Sequence, residues 1–184
     1  SRVTSTLELQ NPRTSELSAY RLTPLGRRLA RLPIEPAYAR MLLAAHQEKA
    51  LADALIVVAS LECDDPRQRP LGKQAEADRV HARFLSPLSD FAARIRLWRW
   101  YREQTARASH TAARRLCKAH YLSYPRMRDW IELRDQLERL CQTLQLDTAS
   151  CAGGDAGLHR ALLAGLLGNI GRLDPETREY RGAR

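Results

Sequence analysis

The sequence contains no long apolar run. Among its 184 residues the longest run, residues 54–61, falls far short of the roughly 20 residues that cross a bilayer, so we expect no membrane-spanning segment. The first residues, Ser1–Thr4, include no Met and precede no apolar segment, which excludes a secretory signal peptide. We therefore expect a piece of a longer protein, no contact with a membrane, and a cytoplasmic location.

Patterns typical of catalytic or metal sites are also missing. The four cysteines are too far apart for a zinc knuckle or a redox motif, and the five histidines show no metal-ligand spacing. No G-x-x-x-x-G-K-[ST] loop is present to bind nucleotide phosphates. The glycines of Gly165–Gly171 follow no strand, so close helix packing explains them better than a dinucleotide site. We expect no catalytic site, metal or cofactor in this chain.

Lysine is scarce, but arginine is abundant and unevenly placed. The net charge is +9, and the segment Arg94–Arg128 carries all of it, because its ten basic residues are opposed only by Glu103. Five of the eleven aromatic residues lie in the same segment. Cations interleaved with aromatic rings suit single-stranded nucleic acid, whose phosphates pair with the cations while its bases stack. A solvated surface of an arginine-rich protein is the alternative.

The periodicity of apolar residues predicts an all-α fold of about eight helices. Thr23, Ser89 and Ser109 are predicted N-caps, and Pro36 is predicted to open a further helix. The last apolar helix is predicted over Leu158–Ile170. At most a short β-hairpin near the N-terminus is expected besides the helices.

The prolines and glycine of Asp64–Gly72 cannot continue a helix. We expect this segment to be a rigid connector between two packing units.

Five groups of short phrases follow one another along the chain. They are LTPLGR (22–27) with LPIEP (32–36), DPRQRP (65–70) with HARF (81–84), SDF (89–91) with LW (97–98), RRLC (114–117) with YLSY (121–124), and ALLAGLL (161–167) with NIG (169–171). In this order and spacing they resemble the C-terminal accessory region of DEAH-box ATP-dependent RNA helicases, of the bacterial HrpA-like type.

The resemblance implies three parts. Residues 1–62 would be a partial winged helix with its following helices, residues 63–171 a helical bundle called the ratchet domain, and residues 172–184 the truncated start of an OB-fold. It also implies that ATP and Mg²⁺ bind RecA-like motor domains elsewhere in the same protein. The chain itself would grip single-stranded RNA during ATP-driven unwinding, with the motor domains and the OB-fold as partners.

The ratchet domain of such helicases closes over single-stranded RNA, and the basic segment lies inside the part that resembles it. Candidate phosphate contacts are Arg114, Arg115, Lys118, Arg126 and Arg128. Candidate stacking faces are Tyr121 and Tyr124, for which a place in the core is the alternative. Trp98 and Trp130 are predicted core residues, and Arg67 and Arg69 are predicted to clamp the two subdomains or to reach RNA.

Two other classes of protein fit parts of the pattern. A winged-helix transcription regulator would add a recognition helix that reads base edges and two-fold symmetric binding. A protein-interaction adaptor would offer the Arg94–Arg128 segment to acidic partners. A steep loss of nucleic-acid affinity with rising salt would distinguish the RNA-binding interpretation from the adaptor.

Overall fold

The computed structural model describes residues 21–87 and 89–182, and the regular secondary structure of this part is helical apart from one short antiparallel hairpin. Its α-helices and strands are α1 (Pro24–Leu29), α2 (Pro36–Gln47), α3 (Leu51–Glu62), α4 (Gln74–His81), α5 (Asp90–Thr105), α6 (His110–Ala119), α7 (Tyr124–Thr143), α8 (Gly154–Leu163), β1 (Gly171–Leu173) and β2 (Tyr180–Gly182). Short 3₁₀ turns follow α4 and α8. The predicted all-α fold of about eight helices is confirmed, and the hairpin predicted near the N-terminus lies outside the described residues.

Helix α3 lies at the centre of the packing. Its residue Leu51 and all residues from Ala54 to Ser60 are buried, on every side of the helix. A helix that is apolar all round has to be covered all round, and α2, α5, α7 and α8 pack against it. The positions of these four helices therefore follow from the need to cover α3.

Two tryptophans join α5 and α7 to the central helix. Trp130 of α7 is 1% exposed, and its indole Nε1–H donates to the carbonyl oxygen of Ile56 in α3 at 2.9 Å. The ring of Trp98 in α5 lies 5.1 Å from that of Trp130 in a tilted arrangement, which is a favoured geometry for aromatic pairs. The prediction that both tryptophans belong to the core is confirmed.

Four helices begin at a hydroxyl side chain. Thr23, Ser89, Ser109 and Ser123 each accept a hydrogen bond from the backbone N–H three residues further along the chain. This bond satisfies one of the N–H groups that have no partner in the first turn of a helix. The first three caps are those predicted from the sequence. The fourth starts α7 at Tyr124, one residue before the predicted Pro125.

The last helix differs from its prediction. Helix α8 covers Gly154–Leu163, so it begins and ends earlier than the predicted Leu158–Ile170. Its final turn tightens, since the N–H groups of residues 164–166 bond three residues back instead of four. A Cβ on Gly165 would lie 2.7 Å from Cγ of Met41 in α2. The prediction of close helix packing is therefore confirmed for Gly165, while the helix itself stops before this residue.

Residues 64–70 form an extended strap across the loop between α6 and α7. The Gln68 N–H donates to the Tyr121 carbonyl at 2.8 Å, and the Ser123 N–H donates to the Pro66 carbonyl, also at 2.8 Å. The strap is not helical, as its prolines predict. It fixes the junction of α6 and α7 through main-chain hydrogen bonds.

Charged side chains reinforce the strap. Asp65 accepts hydrogen bonds from Arg67, with its Oδ2 2.6 Å from Arg67 Nη2, and the guanidinium of Arg94 lies 4.0 Å away. Partial burial raises the pKa of the Asp65 carboxyl, but the hydrogen bonds from Arg67 outweigh this, so the pKa lies below the ordinary 3.8. Arg126 of α7 donates to the Asp65 carbonyl at 3.0 Å and pairs with Asp64 at 3.1 Å.

The strap does not separate two packing units. Buried apolar residues from Leu32 to Leu162, on both sides of it, form one cluster, because α3 precedes the strap and packs against α5 and α7, which follow it. The expectation of two packing units was therefore wrong. The domain boundaries at residues 62/63 and 171/172 stay predictions, as does the winged-helix assignment. In the described ranges no helix is long and apolar enough to cross a membrane.

We expect Gly165→Ala to destabilise the fold and Gly168→Ala to leave it nearly unchanged. A Cβ at Gly165 would meet the Ala37 carbonyl and Met41, whereas a Cβ at Gly168 would meet no atom within 4 Å. Overpacking of this kind costs about 1–3 kcal/mol. Urea unfolding of both variants measures the difference, and equal stabilities would show that the chain after α8 does not approach α2 this closely.

We expect Asp65→Asn to lower the free energy of unfolding by about 0.5–1 kcal/mol at pH 7, the range for partly exposed ion pairs. Since the folded-state pKa of Asp65 is depressed, its contribution is present above about pH 4 and is lost as the pH falls through the folded-state value. The free energies of unfolding of wild type and variant should therefore converge as the pH falls from neutral to acid. Glu103→Gln, an exposed carboxylate outside the strap, is the control and should show no such difference.

Candidate nucleic-acid interface

The basic segment Arg94–Arg128 covers most of α5, all of α6 and the first turn of α7. The structure divides its cations into two groups. Five of the six cations on α5 and α7 are bound by oxygen atoms of this chain. The three on α6, together with Arg102 and Arg107, are exposed without such a side-chain partner among the described residues. The two groups have to be considered separately, because an arginine that already holds a carboxylate offers little net charge to a ligand.

Three arginines of α5 point back onto the protein. Arg94 donates to the Ser60 carbonyl at 3.1 Å, and Arg96 donates to the Leu85 carbonyl at 2.5 Å. Arg99 pairs with Asp53 of α3 at 2.7 Å. These side chains join α5 to neighbouring parts of the fold. Arg99 has a carboxylate at 2.7 Å, whereas the nearest one to Arg94, that of Asp65, lies at 4.0 Å.

The two candidates on α7 are also engaged. Arg126 is held by Asp64 and by the Asp65 carbonyl, as part of the strap. Arg128 pairs with Glu132 one turn later, with 2.9 Å between Nε and Oε1. Their assignment to phosphate stays a prediction, and each would have to leave a carboxylate to make that contact.

Helix α6 presents its cations on one face. Arg114, Arg115 and Lys118 are exposed, while Ala113 and Cys117 on the opposite face are buried. The spacing of three and four residues places the three cations on adjacent turns. Within the described residues, none of the three has a carboxylate at ion-pairing distance. We call these three side chains the α6 basic face.

An aromatic ring orients the first cation of the α6 basic face. The guanidinium carbon of Arg114 lies 5.2 Å from the centroid of the Tyr124 ring, a cation–π contact. The Tyr124 hydroxyl in turn lies 2.8 Å from Nδ1 of His110, at the start of α6. Tyr124 is half-buried and packs against the core. Its ring therefore joins α6 to α7 and holds Arg114 in place.

Tyr121 occupies the turn between the two helices. Its φ is +52°, in the left-handed region that non-glycine residues rarely adopt. Its carbonyl accepts hydrogen bonds from the strap and from the buried His81, whose Nε2 lies 3.2 Å away. A hydrogen bond with Glu76 raises the pKa of the phenol, and Lys73 Nζ lies 6.0 Å from the ring centroid. Tyr121 is partly exposed, and its role in base stacking stays a prediction.

The two strap arginines are both paired with carboxylates. Arg67 binds Asp65 through Nε and Nη2, and Arg69 binds Asp78 of α4 through the same two nitrogens at 2.7 and 2.6 Å. Such two-point pairing fixes the guanidinium plane. It occupies donors that RNA would use. Both pairings lie within residues 65–78, so neither joins the two predicted subdomains, and a contact of either arginine with RNA stays a prediction.

One cluster of rings was not singled out by the sequence. The Trp100 ring contacts those of Phe84 and His120, with centroid distances of 5.1 Å and 4.8 Å. Arg83 lies over this cluster, 4.6 Å from the centroid of Trp100. The three rings come from different elements, so no local spacing could have revealed them. The only sign of this cluster in the sequence is the dipeptide Arg83-Phe84 beside a helix end.

The arrangement fits binding of a polyanion. In the ranges 21–87 and 89–182 no group of three metal-ligating side chains occurs. The α6 basic face offers charged donors to successive negative groups along a rigid helix. Donors of this kind bind phosphates without reading base identity.

Comparison with known proteins finds a family model and relatives that match this chain. Residues 35–120, which run from the N-cap of α2 to the C-cap of α6, match the family model of the helicase-associated domain (HA2), ratchet-like. The chain is 42% identical over 169 residues, 92% of its length, to the ATP-dependent RNA helicase HrpA of Escherichia coli strain K12, of which the match covers 13%.

Two further relatives match over nearly the same length. The HrpA homolog of Haemophilus influenzae is 38% identical over 89% of this chain and 12% of its own length. The pre-mRNA-splicing factor ATP-dependent RNA helicase prp22 of Schizosaccharomyces pombe is 29% identical over 87% of this chain and 13% of its own length. The chain thus spans about an eighth of the length of these relatives. The resemblance predicted from the sequence phrases is confirmed: the chain matches a segment of HrpA-like DEAH-box RNA helicases, and its residues 35–120 correspond to the helicase-associated, ratchet-like domain.

Proposed function

We propose that this chain is a non-catalytic accessory region of an ATP-dependent RNA helicase and that it binds single-stranded RNA through the α6 basic face. The relatives are named as ATP-dependent RNA helicases. The observation that carries the proposal is the exposure of Arg114, Arg115 and Lys118 on one helix face, without neutralising carboxylates among the described residues.

The chemistry of a helicase favours this kind of contact. An enzyme that moves along RNA has to let every base pass, so its contacts should go to phosphates and base faces rather than to base edges. Arginine and lysine bind phosphates through charge-assisted hydrogen bonds whose strength does not depend on sequence. Three such side chains on two turns of one helix would follow the backbone of a short stretch of RNA.

The support beneath α6 adds to the proposal. The helix buries Ala113 and Cys117, and the strap fixes its C-terminal junction. The Tyr124 ring, which packs against the core, contacts the Arg114 guanidinium. A binding face that is ordered before the ligand arrives loses less conformational entropy on binding.

The remaining candidates take supporting roles in this proposal. Arg126 and the strap arginines Arg67 and Arg69 would position α7 and α4, because their charges are paired within the chain. Arg128 would contribute only after exchanging Glu132 for a phosphate. ATP and Mg²⁺ would bind RecA-like motor domains elsewhere in the same cytoplasmic protein, and an OB-fold would complete the RNA channel.

We expect the double variant Arg114→Ala, Arg115→Ala of the full-length protein to bind single-stranded RNA about fivefold to thirtyfold more weakly, taking about 0.5–1 kcal/mol for each exposed charged contact. The loss should be the same for unrelated sequences. The plot of log affinity against log salt should flatten by about 1.4 units, at about 0.7 for each phosphate contact. Fluorescence anisotropy with labelled oligonucleotides, without ATP, measures both quantities.

A matched control replaces two other exposed arginines, each of which is paired with a carboxylate. Arg99 and Arg160 are 63% and 61% exposed and pair with Asp53 and Glu48. Their double alanine variant should keep the affinity and most of the salt slope. Equal behaviour of the two double variants would contradict a specific role of the α6 basic face.

We expect the isolated chain to show no ATPase activity, with or without RNA, because its sequence has no phosphate-binding loop. A preparation purified away from complete helicases and assayed for released phosphate tests this. Activity that follows the chain through successive purification steps would contradict the proposed division of labour.

A further inference from the structure

Among the described residues, arginine side chains contact carboxylates, backbone carbonyls or aromatic rings. Most of those with an assigned contact pair with a carboxylate, as Arg67, Arg69, Arg99 and Arg160 do. Two lie instead over aromatic rings, namely Arg114 over Tyr124 and Arg83 over Phe84 and Trp100. The second group includes a residue outside the basic segment and outside the α6 basic face.

The difference matters for binding an anion. A carboxylate partner cancels the charge of the guanidinium and occupies its N–H donors. An aromatic ring contacts the flat face of the guanidinium, so the charge remains and the donors at its edge stay available. A ring therefore holds an arginine in one place without satisfying it, and this is the state in which an arginine binds phosphate best.

Arg83 meets this description closely. It is exposed, and its guanidinium carbon lies 4.6 Å from the Trp100 centroid and 5.0 Å from the Phe84 centroid. In the described part of the chain no carboxylate lies at ion-pairing distance from it. Phe84 is 3% exposed and Trp100 is partly buried against the core, so the rings beneath Arg83 cannot easily move.

The cluster of rings lies at the C-terminal end of α6. His120, the C-cap of α6, contacts the ring of Trp100. Six residues separate Arg114 from His120, which corresponds to about 9 Å along the helix axis. Arg83, which lies over Trp100, is therefore near the C-terminal end of the helix that carries the α6 basic face.

We propose that Arg83, held over Trp100 and Phe84 near the C-terminal end of α6, is a further phosphate-binding residue for single-stranded RNA. This inference rests on the proposed function, since it assumes that the chain binds single-stranded RNA. Arg83 binds the backbone, and Trp100 positions it. The competing explanation is that Arg83 merely shields a half-exposed indole from water.

Three variants of the full-length protein separate the two explanations. Arg83→Gln removes the charge, Arg83→Lys keeps the charge but not the flat fork, and Arg139→Gln removes an exposed arginine of α7 that lies over no ring. Binding of a labelled oligouridylate and of an unrelated mixed sequence is measured over a range of salt, without ATP. Thermal unfolding of each variant reports on the packing role.

We expect Arg83→Gln to lower the affinity about threefold to fivefold for both RNAs and to flatten the salt slope by about 0.7. Arg83→Lys should keep the slope and lose less affinity, and Arg139→Gln should match wild type. The melting temperature should change little in all three, because Arg83 is exposed.

The outcomes also distinguish this inference from the proposed function. If Arg83→Gln behaves like Arg139→Gln, or changes only the melting temperature, the inference is overturned, whatever the α6 double variant does. The inference is also overturned if Arg83→Gln weakens RNA binding without flattening the salt slope. The same holds if Arg83→Gln weakens binding of an acidic peptide but not of RNA. If Arg83→Gln weakens binding and the α6 double variant does not, the inference holds and the proposed role of α6 fails.

Discussion

Burial of α3 determines where the rest of this molecule can lie. The helix is apolar on every side, and at roughly 25 cal/mol for each Å² of apolar surface removed from water, leaving any side open would be costly. Helices α2, α5, α7 and α8 therefore surround it. Trp130 adds a directional element, because its N–H bonds to a carbonyl of α3. Helix α6 does not join this ring of helices, and so it is free to turn a polar face outward.

The distribution of charge follows from the same geometry. An arginine on α5 or α7 lies within reach of oxygen atoms on α3 or on the strap, as Arg94 and Arg126 show. Side chains of α6 have fewer such neighbours and remain exposed. The charge of +9 counted along the segment Arg94–Arg128 overstates what a ligand would meet there, because Arg99, Arg126 and Arg128 pair with carboxylates outside the segment. The relevant quantity is the number of its cations that the fold leaves without a carboxylate, and these include the three of the α6 basic face.

The sequence predicted most of what is local. Helix caps such as Thr23 and Ser109 depend on residues three positions away, and the burial of α3 depends on its own composition. The features that the sequence predicted wrongly or missed depend on contacts between residues far apart in the chain. The Asp65–Arg126 bond joins residues 61 positions apart, so the engagement of Arg126 could not be read from its neighbours. The early end of α8 likewise coincides with the close approach of Gly165 to Met41 in another helix.

The strap has a consequence for how related sequences can differ. Its two central hydrogen bonds join main-chain atoms, between residues 66–68 on one side and 121–123 on the other. Main-chain bonds tolerate exchange of the side chains that accompany them, apart from proline at a donor position. They do not tolerate a change in residue count, because adding or deleting one residue between the two bonds would break their alignment. Among homologues, the spacing within these two short segments should vary less than their composition.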